Sequence, residues 1–180
     1  MTLLEMKKKV LQLIEEIEET SESLTNDPDI EAKMNSVINQ VMFELARMKK
    51  IPAFKEVEVL KHQVFDMNTL DNFYQLRLLR FPGSYDVVEN LVVFGETGTA
   101  SFHYYKYPEL ITDETEDTYE FELSKDALEI MPYGVAGDLL KSDVSTEYGA
   151  IYSQRYETML QRLDPRYAMD SFYIEGGVNI

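Results

Sequence analysis

Residues 123–163 read LSKDALEIMPYGVAGDLLKSDVSTEYGAIYSQRYETMLQRL, a stretch best parsed as two amphipathic helices meeting at a short turn. Ser124 is a good N-cap, and Asp126 puts a negative charge where the orphan N–H groups and the helix dipole favour it. Leu123 and Leu128 are spaced as a hydrophobic staple across that cap. Apolar residues recur at Leu128, Met131, Val135 and Leu139, which is helical spacing. Pro132 breaks the run, because it has no N–H to donate and its ring crowds the i−4 carbonyl. Either the helix kinks there, or the main helix begins there with Pro132 at N1. Gly134 and Gly137 follow one turn apart, each costing about 1 kcal/mol of helix propensity relative to alanine. That cost marks them as a helix crossing, where another backbone comes close. The second helix carries Tyr148, Ile151, Tyr152, Tyr156, Met159, Leu160 and Leu163, and Asp164-Pro165 stops it.

The rest of the helical part lies upstream. From Thr2 to about Glu19 a first helix is predicted, with Leu3, Met6, Val10, Leu13, Ile14 and Ile17 on one face. Its charges oppose its dipole: Lys7, Lys8 and Lys9 lie near the N-terminal end, while Glu15, Glu16, Glu18 and Glu19 crowd the other. Such a helix needs packing partners, either by docking on the bundle or as an arm ordered by assembly. After a polar linker, Thr20 to Asn26, Asp27-Pro28 opens a second helix with an N-cap followed by proline at N1. Ile30, Met34, Val37, Ile38, Val41, Leu45 and Met48 form its stripe, Lys49-Lys50 suit its C-terminus, and Pro52 ends it.

Residues 53–108 have the character of strands. FYQLRLLRF (Phe73 to Phe81) precedes Pro82-Gly83, which fits a type II turn. Tyr85 to Val88 and Leu91 to Phe94 follow, then GETG at Gly95 to Gly98 as a hairpin turn, and a last strand from Thr99 to Tyr107. On that strand Phe102 and Tyr104 point one way and His103, Tyr105 and Tyr107 the other, so both faces are expected to be covered. Val57 to Leu60 and Val64-Phe65 supply further short strands. The predicted class is α+β: a helical bundle of about four helices (1–52 and 109–165), a small antiparallel β-sheet insertion (53–108), and an extended C-terminal tail (166–180). The tail, RYAMDSFYIEGGVNI, has apolar residues but no helical period. Fully extended it reaches roughly 50 Å.

Composition narrows the chemistry. The chain has 180 residues, 44% hydrophobic and 12% aromatic, as a folded protein does. No apolar run approaches the roughly 18 residues that span a bilayer, and MTLLEMKKKV lacks the apolar core of a signal peptide. The chain is expected to stay where it is made, or to travel inside something larger. With no cysteine, a disulfide framework, a thiolate zinc site and a cysteine nucleophile are excluded. His62 and His103 stand about forty residues apart without an HExxH pair, and no GxSxG elbow or P-loop lysine occurs. Asp113, Glu114, Glu116, Asp117 and Glu120 could gather a cation, but the EF-hand spacing is missing, and a solvated acidic loop is the simpler reading of residues 111–122. Neither a cofactor nor a metal is expected, and no enzymatic site. The 12 tyrosines suit either a core or an interface. The net charge of −16, from 17 basic and 33 acidic residues, repels nucleic acid. Such a protein mimics DNA, avoids it, or lines a passage through which it slides.

Several segments in this order resemble the head-tail connector proteins of tailed phages, the adaptors that dock beneath the portal ring. These are ELARMKKIP (Glu44 to Pro52), YYKYPELIT (Tyr104 to Thr112), LSKDALEIMPYGVAGDLLKSDV (Leu123 to Val144), YSQRYETMLQRLDPR (Tyr152 to Arg166) and YIEGGV (Tyr173 to Val178). The likeness is most specific from Tyr104 to Arg166. This chain departs from many such adaptors in the length of its acidic connector and its N-terminal helix. The resemblance implies a structural virion protein of the neck, present in the host cytoplasm during assembly. It implies a homo-oligomeric ring, commonly a dodecamer, bound to the portal protein, with a stopper or tail-completion protein below. Genome DNA would pass through without specific binding, and no membrane is involved. The tail residues Tyr167, Phe172, Tyr173, Ile174, Val178 and Ile180 are then the expected contacts with the portal or a neighbouring subunit. The alternative is an acidic DNA mimic that inhibits a nucleic-acid enzyme.

Overall fold

One helix, Lys125–Leu139 (α3), lies at the centre of the helical part and touches three others: Leu3–Leu13 (α1), Pro28–Met48 (α2) and Tyr148–Leu163 (α4). Its composition explains this position. Ala127, Ile130, Met131, Pro132, Val135, Ala136 and Leu139 are all buried, so the helix is apolar nearly all round and must be enclosed. It runs unbroken through Pro132, so the main helix does not begin at that proline. The computed structural model describes residues 1–16, 24–25, 27–142 and 147–163.

Helix α1 is docked through Leu3, Met6, Val10 and Leu11. It ends at Leu13, well short of the predicted Glu19. Glu15 takes the left-handed conformation (φ 61°), and the Glu16 N–H reaches back to the Leu11 carbonyl at 3.0 Å, which is the six-to-one bond of a Schellman stop. The adverse charge order explains an early end, since further glutamates would extend the helix against its own dipole. At its other end Thr2 and Glu5 form a capping box. Two further N–H groups, of Leu3 and Leu4, donate to the carbonyls of Tyr119 and Asp117. Helix α2 starts as read, with the Asp27 carboxylate accepting from the N–H groups of Asp29 and Ile30.

The middle of the chain corrects the predicted architecture. Instead of a bundle bearing a small insertion, the chain is a mixed α+β protein in which strands dominate the middle. Six strands form two three-stranded antiparallel sheets: Ile51–Val59 (β1), Val64–Asp66 (β2), Phe73–Arg80 (β3), Tyr85–Val88 (β4), Leu91–Phe94 (β5) and Gly98–Lys106 (β6). Their orders are β1-β6-β3 and β2-β5-β4. The inward side chains Val59, Leu79, Ala100, Phe102 and Tyr104 of the first sheet meet Val92 and Phe94 of the second, making a core separate from the helical one. Phe65 lies on Phe102 with ring centroids 4.9 Å apart, and Phe81 meets Phe94 edge-on at 4.8 Å.

Strand β1 is the element the sequence hid. It begins one residue after Lys50, so Pro52 is inside an edge strand, where a missing N–H is tolerated. Its alternation, Ala53, Lys55, Val57 and Val59 against Pro52, Phe54, Glu56 and Glu58, is clear in the burial pattern. Two turns also differ. No described glycine has positive φ, so Pro82-Gly83 is not a type II turn. GETG joins β5 to β6, which belong to different sheets; it is a corner between layers and not a hairpin. Helices and lobe are pinned where they meet. The Lys50 ammonium donates to Gln75 Oε1 (2.6 Å) and lies 4.9 Å from the Tyr105 ring, while Tyr107 stacks between Phe43 and Tyr74.

Candidate interaction surfaces

Three features bear on what the molecule can contact: the helix crossing, the acidic strap between lobe and α3, and the outer faces of the lobe.

At the crossing, a Cβ on Gly134 would stand 2.9 Å from the Tyr156 ring and 3.0 Å from Val41, and one on Gly137 would stand 2.7 Å from Ser153 Oγ and 3.0 Å from its backbone nitrogen. The two glycines thus lie where α3 meets α4, with α2 touching the first. Tyr156 fixes the spot by donating to Glu44 Oε2 at 2.8 Å. Burial, and then this bond to a carboxylate, push the phenol pKa far above its ordinary value. Tyr152, one turn earlier, donates to the Leu13 carbonyl, and the Arg155 guanidinium lies 4.3 Å over the Tyr133 ring. Many of the tyrosines therefore join elements of this chain.

The strap, residues 109–122, holds seven carboxylates and no lysine, arginine or histidine. All seven acidic residues are exposed, while Ile111 and Phe121 are buried and anchor the segment on the helical core. Asn39 fixes its start, donating to the Ile111 carbonyl and accepting from its N–H. The carboxylates face different partners: Asp113 meets Asn35 (2.9 Å), Asp117 meets Lys7 (3.7 Å) and Glu122 meets Lys106 (2.5 Å). Among the described residues no group of three or more acidic or histidine side chains could hold a metal ion.

Tyr119 is the odd residue of the strap. Its ring packs edge-on against Phe121 at 5.5 Å, yet its buried hydroxyl has no hydrogen-bond partner. Burial first, then the Glu122 and Glu109 charges, push its pKa up to about 12. A raised pKa means the fold favours the neutral phenol. That contribution is complete below the ordinary value near 10 and is lost as pH rises through about 12. Tyr119→Phe should be neutral to slightly stabilising at pH 7, because it removes an unsatisfied polar atom. It should also flatten the fall in stability between pH 10 and 12, read from urea midpoints across that range. A clear loss at pH 7 would mean that the hydroxyl is bonded after all.

His62 sits in the turn after β1 with φ 63°, and His103 is on β6 against the Phe54 ring at 4.8 Å; the two are on different elements. A cavity of about 260 Å³ lies between the end of α1 and the start of α4, lined by Leu13, Ile14, Glu15, Glu16, Leu140, Tyr148 and Tyr152. Its polar lining is two carboxylates and two phenols. Among the described residues no helix is long and apolar enough to cross a membrane. The tail residues Tyr167, Phe172, Tyr173, Ile174, Val178 and Ile180 lie outside the described residues, as do Ile17 to Glu19, most of the linker, and Asp164-Pro165.

The surfaces the sequence reading missed are on the lobe. Phe54 (55% exposed) and Leu78 (43%) stand on the outer face of β1-β6-β3, where Ser101, His103 and Tyr105 of β6 are half-buried, so that face is covered only in part. The available signal was the apolar content of both parities in VVENLVVF, which no one-sided sheet requires. Compared with protein-family models and with curated proteins, the chain matches none.

Proposed function

We propose that this chain is a structural protein of the virion neck: a head-tail connector adaptor of a tailed phage. It assembles as a ring beneath the portal, commonly of twelve copies, and lines the passage of the genome. The observation that carries this reading is the strap with its seven exposed carboxylates and no cation. A wall of that kind repels phosphate and gives DNA nothing to condense on. The resemblance of residues 104–166 to phage adaptors agrees with it. The tail, with Tyr167, Phe172, Tyr173, Ile174, Val178 and Ile180, is the segment that grips the portal or a neighbouring subunit, by strand addition or in a groove.

Deleting residues 167–180 should leave a folded chain that no longer joins purified portal rings, scored by co-sedimentation. Undiminished docking would remove the tail from the interface. Counting copies in purified particles tests the larger reading, which fails if the chain is not part of the particle. The same exposed carboxylates favour the DNA mimic as the second reading. It predicts salt-sensitive inhibition of a nucleic-acid enzyme by the isolated chain, which a conduit does not.

A further inference from the structure

Four strands of the lobe end a sheet: β1 and β3 in one layer, β2 and β4 in the other. An open strand edge is a row of unpaired N–H and C=O groups that recruits other chains, and folds blunt it with proline, charge, bulges or brevity. β1 carries Pro52, Lys55, Glu56 and Glu58. β3 carries Arg77 and Arg80, and its register with β6 shifts at two places. β2 has three residues and runs straight into a helical turn at 67–69. β4 is short as well, but it is regular in its pairing, three of its four residues are tyrosine or valine, and all four are exposed.

The hydrogen-bond pattern says what this edge presents. The Gly95 N–H donates to the Ser84 carbonyl, so in an antiparallel ladder the next bonded pairs are Asp86 with Val93 and Val88 with Leu91. Tyr85 and Val87 fall between them, and their N–H and C=O groups point away from β5, toward the open side. The same two residues face the lobe core, because their partners Phe94 and Val92 are fully buried. Yet Tyr85 is 40% and Val87 43% exposed. The Tyr85 hydroxyl meets the Leu79 carbonyl of the other layer at 3.4 Å, and beyond it the core stands open. It ends one strand short.

Charge selects the occupant. Residues 84–95 hold Asp86 and Glu89 and no lysine, arginine or histidine. A strand added beside β4 would turn its inward side chains onto Tyr85 and Val87, where apolar groups fit. Its outward side chains would come beside Asp86 and Val88, where a lysine or arginine covers the valine with its stem and meets the carboxylate with its head. Segments of this chain suit the place poorly. The strand-like part of the tail, SFYIE (171–175), contains Glu175 and no cation, and a second copy brings its own charge of −16.

We propose that the free edge of β4 is a docking site for an extended segment of a partner protein in which apolar residues alternate with lysine or arginine, added to the sheet as a fourth strand. The site is independent of the neck reading.

The test uses the full chain and a short synthetic peptide alternating valine and lysine, followed by amide hydrogen exchange. In the chain alone the Tyr85 and Val87 amides should exchange rapidly; with saturating peptide they should slow by at least about tenfold. The same peptide N-methylated at alternate residues cannot complete the ladder and should not bind, and a valine–glutamate peptide should bind far more weakly than the lysine one. Val87→Pro removes one edge N–H without touching a bond to β5, a change edge strands tolerate, and should weaken binding at least about tenfold. If that variant does not fold, the N-methylated peptide on the unmodified chain decides alone. Asp86→Lys should reverse the preference between the lysine and glutamate peptides. Four results overturn the proposal: amides of Tyr85 and Val87 that stay unprotected at millimolar peptide, an N-methylated peptide that binds as well as the plain one, a folded Val87→Pro chain that binds undiminished, or equal binding of the lysine and glutamate peptides. Amides already slow in the chain alone and released by removal of residues 164–180 would likewise overturn it, since the tail would then hold the edge.

Discussion

Gly137→Val should lower the stability of the protein by about 2–3 kcal/mol. A Cβ at this position would be 2.7 Å from Ser153 Oγ and 3.0 Å from the Ser153 nitrogen. The hydroxyl can rotate away, but the backbone nitrogen belongs to α4 and moves only with the helix. A β-branched side chain adds two methyl groups to that crowding. The gain in helix propensity over glycine is below about 1 kcal/mol and does not offset it. Gly134→Ala should be milder, because the first atoms met are the ring of Tyr156 and a methyl of Val41, although the bond from Tyr156 to Glu44 limits how far that ring yields. Urea titration should show a lower midpoint with little change in slope. An unchanged midpoint for Gly137→Val would mean that α3 and α4 do not cross at this distance.

Phe102→Ala should cost roughly 3–5 kcal/mol, the range for a large aromatic removed from a core. Phe102 is fully buried on the central strand of its sheet and bears on Phe65 of the other layer. It therefore touches both layers at once. The lobe has its own core, distinct from the helical one, so the loss should be local: amides of β3, β5 and β6 should lose hydrogen-exchange protection well before those of α3. A loss below about 1 kcal/mol would mean that the two layers do not pack on each other there.

Much of the helical half was legible in sequence, for a local reason. Caps and stop signals act within a few residues, so Asp27-Pro28, Ser124 and the apolar spacing of 128–139 mark helices wherever they occur. Gly134 and Gly137 were legible too, because a double cost in propensity on one face has few explanations besides close approach. The end of α1 was harder. Its stop depends on Glu15 adopting a left-handed conformation that glutamate does not advertise.

The lobe was read too small because a strand carries little local information. Pro52 reads locally as the stop of α2, yet it lies inside β1, and the Lys and Glu residues of IPAFKEVEV conceal an alternation that only pairing with β6 reveals. Which strands share a sheet is a non-local matter. Consecutive β5 and β6 read as a hairpin around GETG, but burying Phe94 and Phe102 in one core between the sheets places the two strands in opposite layers.

The sequence by itself determined the four helical segments, most strand positions, the close approach at Gly134 and Gly137, and the acidic character of the strap. Each of these follows from residues near one another in the chain. Tertiary structure alone decided that α3 is the central helix, that six strands make two layers, and that both outer faces of those layers keep their apolar side chains uncovered. Burial is a property of distant segments meeting, and the free energy that selects one pairing over another is gained only when they meet.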